Sequence, residues 1–188
     1  MKNEVKILKF LLNNKENKFT IKKIAEAIEI NYRIAYEKVF ILEKEGLIKI
    51  TKAGNSNLCE FTNKFNEIVF QAEYERKKDL FKNKNFLILH NRLLELNFSF
   101  IALLFGSQAR GTANKHSDID ILTISENEKE LKTIISLLPE KIHLTNVSYV
   151  NFINMAKSRE FTVVSEAIKN NIILIGIEEY YRLLNNVG

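Results

Sequence analysis

The sequence has few of the features of secreted or membrane-spanning proteins. Its 188 residues include one cysteine, Cys59, one proline and no tryptophan. A single cysteine excludes an intrachain disulfide and makes a reducing cytoplasm the expected setting. The apolar runs, such as residues 100–105 and 172–177, are too short to span a bilayer and suit buried strands. We therefore expect a globular cytoplasmic protein with no secretory signal and no membrane contact.

Aspartate is also scarce. The chain has 23 acidic residues, of which only Asp79, Asp118 and Asp120 are aspartates. Glutamate therefore provides the routine negative charge of the surface. Two of the three aspartates lie two residues apart, which marks Asp118 and Asp120 as candidate functional residues.

Positive charge is in modest excess, and it is unevenly distributed. The formal net charge is +5, and residues 1–62 carry 12 Lys and Arg against 8 Glu, a net of +4. This excess is compatible with nucleic-acid contact in the first third of the chain. A lysine-rich solvated surface explains it equally well, so both interpretations stay open.

The first third of the chain predicts three helices followed by a hairpin. Thr20 is an expected N-cap, and Gly46 is an expected C-terminal stop for the third helix. The order helix, helix, turn, helix, hairpin resembles a winged helix-turn-helix domain, which we assign to residues 1–62. The helices are predicted at residues 4–13, 20–28 and 32–45, and the strands at 47–51 and 57–62.

The rest of the chain predicts a helical linker and a second domain. Residues 63–97 indicate one or two helices, and residues 98–188 alternate apolar strands with helices. Such alternation favours a mixed β-sheet flanked by helices, so the whole chain is of the α+β class. The strands are predicted at residues 98–105, 118–124, 141–147 and 172–177, and the helices at 128–138, 151–170 and 178–185.

The segment from Gly106 to Asp120 carries the most specific pattern in the sequence. It reads GSQARGTANKHSDID. A Gly-Ser-x-Ala-Arg-Gly run followed by Ser-Asp-Ile-Asp resembles the active-site signature of minimal nucleotidyltransferases, in the DNA polymerase β-like superfamily. The resemblance covers the motif closely and the order of elements through residue 184 more loosely. It implies a nucleotidyltransferase domain at residues 98–188 that uses a nucleoside triphosphate, with ATP expected, and Mg²⁺.

The paired aspartates suit this chemistry on their own. Alternate residues of a strand face the same side, so Asp118 and Asp120 face one way while Ile119 and Ile121 face the core. Two carboxylates placed in this way can hold one or two Mg²⁺ ions, which clamp the attacking and leaving oxygens of a phosphoryl-type transfer. Asp118 and Asp120 are therefore the predicted metal-binding and catalytic residues.

Gly106, Ser107 and Arg110 are the predicted nucleotide-binding residues. Glycine allows a phosphate to approach the backbone, and the first N–H groups of a helix favour an anion. The Ser107 hydroxyl can donate a hydrogen bond to the triphosphate. Arg110 can contact a phosphate or brace the loop, and Gly111 permits the turn that ends the helix.

His143 departs from the family pattern. Fully active members usually have a third acidic residue on a later strand, and the matching place here holds His143. Neutral imidazole is a poor Mg²⁺ ligand but can act as a base, which makes His143 a catalytic candidate. The alternative is a half-buried strand residue without a role, with Glu140 or Glu160 as the substitute acid. His116 is expected in an exposed loop and His90 on a helix surface.

The winged-helix resemblance also implies contacts to duplex DNA. The exposed start of the third helix would enter the major groove, and lysines of the hairpin would reach phosphates. Glu37 on the same exposed side argues against DNA, and winged helices also serve in protein binding or as homodimers. The predicted DNA-binding residues are Asn31, Tyr32, Arg33, Tyr36, Lys49 and Lys52.

Two classes of function remain open. The first is an enzyme that transfers a nucleoside monophosphate to an unknown acceptor. Relatives of this size include antitoxins that modify a HEPN-type partner protein. The second is a DNA-binding regulator whose nucleotidyltransferase domain only binds nucleotide, which the His143 substitution favours.

Overall fold

The chain divides into two compact units, Met1–Glu75 and Arg76–Gly188. The computed structural model describes residues 1–114, 116–158 and 160–187. Within these residues, no helix combines the length and the apolar character needed to cross a membrane. The domain boundaries predicted after residues 62 and 97 stay a prediction.

The first unit combines helices with a three-stranded antiparallel sheet in the order β1-β3-β2. Its elements are α1 (Asn3–Leu12), β1 (Phe19–Thr20), α2 (Ile21–Ala27), α3 (Tyr32–Lys44), β2 (Ile48–Ala53) and β3 (Ser56–Phe61). A further helix, α4 (Glu67–Leu80), begins in this unit and contains the boundary between the two units.

The caps of the first unit follow from local chemistry. The Thr20 hydroxyl accepts a hydrogen bond from the backbone N–H of Lys23, 3.1 Å away, and so caps α2 as predicted. Gly46 follows α3 with a φ of +75°, a left-handed conformation that favours glycine. The predicted helices and hairpin are present, together with the unpredicted β1, while the winged-helix assignment stays a prediction.

The second unit contains a four-stranded sheet in the order β6-β5-β4-β7. Its elements after α4 are α5 (Lys84–Leu94), β4 (Ile101–Phe105), α6 (Gly106–Arg110), β5 (Ile119–Ile124), α7 (Glu128–Ser136), β6 (Ile142–Val147), α8 (Tyr149–Lys157), α9 (Val163–Lys169), β7 (Ile172–Ile175) and α10 (Ile177–Asn185). β4 pairs antiparallel with β5 and β7, whereas β5 and β6 are parallel. The predicted mixed sheet is therefore confirmed.

Helices cover both faces of this sheet. All five residues of β4 are buried, which explains the uninterrupted apolar run of its sequence. Ala102 and Leu104 pack into a core with Phe86 and Leu89 of α5 and Leu131 of α7. The helices α9 and α10 also contact β4. The motif residues follow β4 and lead into β5, the two central strands of this packed sheet.

Two sequence expectations differ from the structure. The helix predicted over residues 151–170 is divided into α8 and α9, because the Thr162 hydroxyl accepts from Ser165 N–H and starts a new helix. His90 is half-buried, not on a helix surface, with its ring 4.7 Å from that of Phe81. Burial and the nearby Lys77 charge lower the pKa of His90 to about 4.

Candidate functional site

The two halves of the sequence motif meet at one end of the central strands. β4 ends at Phe105, and the chain turns directly into the short helix α6, which begins at Gly106. In the antiparallel ladder Phe105 is paired with Asp120 of β5. The pairing brings Gly106 and Asp120 together although they are far apart in the sequence.

Gly106 is required by this close approach. Its φ is +69°, and a Cβ placed on it would collide with the Asp120 carboxylate. Any side chain here would both strain the backbone and push Asp120 aside. The sequence predicted a glycine that admits a phosphate, and the structure adds that the same glycine admits the Asp120 carboxylate.

Asp118 and Asp120 alternate with core residues at the start of β5. Asp118 directly precedes the strand, while Ile119 and Ile121 are buried. The side chains of Asp118 and Asp120 remain 38% and 28% exposed, so both carboxylates are accessible to a ligand. The predicted alternation is therefore present, with Asp118 one position before the strand.

His143 lies beside Asp120, where the parallel strands β5 and β6 pair. The two residues are direct partners in the ladder, and His143 Nδ1 is 3.5 Å from Asp120 Oδ1. The imidazole is 70% exposed, so His143 is not the half-buried residue that was the alternative expectation. The structure places His143 beside Asp120, while its standing in for a third acid stays a prediction.

Lys141 also belongs to this cluster, although the sequence did not suggest it. Asp118, Asp120, His143 and Lys141 together form what we call the acidic centre. Its backbone carbonyl accepts a hydrogen bond from Ile119 N–H at 3.0 Å, just before β6 begins. Its ammonium lies 2.9 Å from Asp118 Oδ2. Each aspartate is thus faced by a basic side chain from the β6 segment, Asp118 by Lys141 and Asp120 by His143.

The remaining candidates are placed around this centre. Arg110, at the end of α6, forms an ion pair of 3.1 Å with Glu166 of α9, which supports the bracing role among its two expected roles. Glu160 is exposed in the connection between α8 and α9, where its backbone N–H donates to Ser158 Oγ. Glu140 lines a cleft that also contains Asp118.

That cleft has a volume of about 780 Å³ and a largely polar lining. It includes Asp118 and Lys141 but neither Asp120 nor His143, so it reaches the acidic centre from one side. The volume lies within the range of small-molecule sites in proteins. The lining residues are Asn83, Asn85, Phe86, Gln108, Ala113, Asn114, His116, Ser117, Asp118, Ile119, Glu140 and Lys141.

The described side chains do not form a complete set of protein ligands for a metal ion. No group of three or more His, Cys, Asp or Glu side chains in the described ranges is arranged to hold a metal ion. Mg²⁺, however, is commonly bound by one or two carboxylates together with substrate phosphates. Asp118 and Asp120 fit that partial donor set.

The residues predicted to bind DNA lie on the first unit. Asn31 Oδ1 accepts from Arg33 N–H at 2.8 Å and caps α3, while the Arg33 guanidinium pairs with Glu37 at 3.3 Å. Tyr32 and Tyr36 are exposed on α3. Lys49 and Lys52 are exposed on β2. These six side chains are accessible. Asn31 and Arg33 are engaged in polar contacts, and the ring of Tyr36 contacts those of Tyr32 and Phe40.

A comparison of the sequence with models of known protein families agrees with this motif. Residues 91–175 match the family model of the nucleotidyltransferase domain. The matched range contains β4, α6, β5 and β6, together with Asp118, Asp120, Lys141 and His143. It supports nucleotidyl transfer as the general class of activity, and domains of this kind generally use a nucleoside triphosphate and a divalent metal.

The comparison adds nothing on the N-terminal unit, since the match begins at residue 91. No curated protein and no solved structure matches this chain significantly. The nucleotidyltransferase domain is thus the part of the chain whose family is supported.

Proposed function

We propose that the nucleotidyltransferase domain binds a nucleoside triphosphate at Gly106 and Ser107 and transfers the nucleoside monophosphate to an acceptor. The observation that carries this proposal is the contact between the two motif halves. Asp120 lies against Gly106 at the end of β4, so a triphosphate bound at Gly106 would lie next to the Asp120 carboxylate. ATP is the expected nucleotide.

Asp118 and Asp120 would hold Mg²⁺ brought with the triphosphate. Bound there, the metal would supply positive charge to the attacking and leaving oxygens. The protein contributes the two accessible carboxylates, and the sheet fixes their backbone positions through the β4–β5 and β5–β6 ladders. Asp120 is thereby kept next to Gly106.

Ser107 and Arg110 have different roles in this proposal. The Ser107 hydroxyl has no hydrogen-bond partner in the part of the chain that the structure describes, so it is available to the triphosphate. Arg110 is held by Glu166, which fastens the end of α6 to α9. Ser107 therefore binds, and Arg110 maintains the position of the α6 helix.

Nucleotide titration tests the binding site. We expect Ser107→Ala to weaken Mg²⁺-dependent ATP binding by about 1–3 kcal/mol, the range for a hydrogen bond to a charged group. Calorimetric titration of the full chain with ATP, GTP, CTP and UTP measures it. Ser136→Ala on α7 is the matched control, since its hydroxyl bonds only within the helix, to Thr133. Unchanged affinity in Ser107→Ala would place the triphosphate elsewhere.

A second candidate function is a nucleotide-sensing regulator that binds duplex DNA through its N-terminal unit. The observation that favours it is His143 beside Asp120, where a third carboxylate would complete a transfer site. With only two carboxylates, nucleotide binding can persist while transfer is slow. The element order of the first unit, with its exposed Tyr32 and Tyr36 on α3, supports the winged-helix part of this candidate.

The salt dependence of DNA binding tests the second candidate. We expect weak binding of duplex DNA whose affinity falls steeply with salt, because each neutralised phosphate releases counterions. Replacing both Lys49 and Lys52 with Ala should lower the slope of log affinity against log salt by about 2. Lys132→Ala, on α7, should leave that slope unchanged. If no duplex, including the protein's own promoter, shows salt-sensitive retardation, the DNA-binding role is excluded.

A further inference from the structure

Lys141 and Asp118 form the closest ion pair of the acidic centre. The Lys141 ammonium lies 2.9 Å from Asp118 Oδ2, which is shorter than the 3.5 Å between His143 and Asp120. The backbone of Lys141 is fixed, because its carbonyl accepts a hydrogen bond from Ile119 N–H next to Asp118. The register of β5 and β6 therefore holds the backbone of Lys141 beside that of Asp118.

The Lys141 ammonium and a metal ion would compete for Asp118. The proposed function assigns a divalent cation to Asp118, and Lys141 already places a positive charge on one of its two oxygens. A monovalent ammonium and a divalent ion at one carboxylate repel each other. Asp118 Oδ2 therefore cannot bind both cations as tightly as it would bind either one alone.

The Lys141 side chain is free to leave. It is 84% exposed, and exposed ion pairs contribute little to stability, so separating it from Asp118 requires little free energy. The adjoining cleft of about 780 Å³, which Lys141 and Asp118 both line, offers the displaced ammonium solvent and polar neighbours such as Glu140.

We propose that Lys141 is a built-in counter-ion of Asp118 that a divalent cation must displace, and that it sets the metal affinity of the site. This inference rests on the proposed function, which places the metal at Asp118 and Asp120. Lys141 acts through Asp118 and is a positioning residue. Before the nucleotide binds, the Lys141 ammonium balances the negative charge of Asp118. It thereby lowers the affinity of the site for a metal ion in the absence of a triphosphate.

Direct metal binding tests this role. Mn²⁺ serves as the probe, and the free ion is measured by electron paramagnetic resonance in titrations of the full chain without nucleotide. We expect Lys141→Met to bind Mn²⁺ about two- to fivefold more tightly than wild type, because the competing charge of an exposed ion pair is removed. Lys141→Arg keeps the charge and should stay near the wild-type affinity.

Lys132→Met is the matched control. Lys132 forms an ion pair of similar length, 2.7 Å, with Glu128 on α7, so its loss removes the same charge from another place. Its Mn²⁺ affinity should equal that of wild type. Thermal unfolding of all variants checks that the fold is unchanged, and a purely structural role for Lys141 would change stability without changing Mn²⁺ affinity.

The outcomes separate this inference from the proposed function. Equal or weaker Mn²⁺ binding in Lys141→Met overturns the counter-ion role. If Asp120→Asn loses Mn²⁺ binding in the same experiment, the assignment of the metal site to Asp118 and Asp120 still stands. If Asp120→Asn binds Mn²⁺ as well as wild type does, the metal site of the proposed function fails and the counter-ion role fails with it. Tighter binding in Lys141→Met alone, with Lys141→Arg unchanged, supports the inference.

Discussion

Asp120→Asn should abolish metal-dependent nucleotide binding and leave the fold intact. Asparagine has nearly the same shape, so it can occupy the space against Gly106 that the Asp120 carboxylate fills. It lacks the negative charge that, in the proposed function, would hold a divalent cation beside the triphosphate. We expect Mg²⁺-dependent ATP affinity to fall by at least about 100-fold, or roughly 2.7 kcal/mol.

Asp79→Asn is the matched control for this experiment. Asp79 is the only other aspartate of the chain, and it forms an exposed i,i+3 pair with Lys82 on the surface, at 2.8 Å. The same chemical change there should leave ATP affinity unchanged. Thermal unfolding of Asp120→Asn should match wild type, since the side chain is partly exposed and its replacement is isosteric. Equal ATP affinity in wild type and Asp120→Asn would show that the nucleotide site is elsewhere.

His143→Asp should increase Mg²⁺-dependent transfer when the acceptor is present. In a two-metal reaction the acceptor-side metal needs anionic ligands, and Asp118 and Asp120 supply only two. A carboxylate at position 143 would stand next to Asp120 in the β5–β6 ladder and add a hard oxygen donor. We expect the transfer rate to rise about 10- to 100-fold, which is the size of effect that a single group around a metal site has on activity. Nucleotide affinity should change by less than about tenfold, or 1.4 kcal/mol.

His116→Asp is the control for adding an acid near the site. His116 lies in the exposed loop before Asp118 and is not paired with Asp120. Its substitution should not increase transfer. Brisk transfer by wild type that is lost in both His143→Asp and His143→Ala would show that His143 is itself catalytic, as a base, and would end the sensor candidate.

The paired aspartates of the acidic centre could be predicted from the sequence because their pattern is local. Strand alternation puts Asp118 and Asp120 on one side while Ile119 and Ile121 are buried, and this needs only a period of two residues. Placing His143 opposite Asp120 needed the order of later strands, which the family resemblance supplied. The caps at Thr20 and Gly46 were likewise readable from neighbouring residues.

The remaining contacts depend on pairings that no local pattern encodes. Lys141 meets Asp118 only because β6 runs parallel to β5 in one particular register. Glu166 reaches Arg110 from a helix 56 residues further along the chain. The contact of His90 with Phe81 depends on how α5 packs beside the end of α4. Sequence periodicity identifies the face of an element but not the residues that it meets.

The break between α8 and α9 shows a different limit. The sequence predicted helical structure over the whole of residues 151–170. The hydroxyl of Thr162 competes with the helix by capping a new one, and Ser165 bonds back to Thr162 N–H. Glu160 therefore lies in a connection, where the sequence placed it on a helix.

The most direct measurement of the central claim compares two positions of a radioactive phosphate. The full chain is incubated with Mg²⁺, cell extract as the source of acceptor, and ATP labelled at either the α- or the γ-phosphate. Transfer of a nucleoside monophosphate predicts a labelled product from α-labelled ATP only, and none with Asp120→Asn. A product labelled from γ-labelled ATP, or equal labelling by wild type and Asp120→Asn, would contradict nucleotidyl transfer at this site.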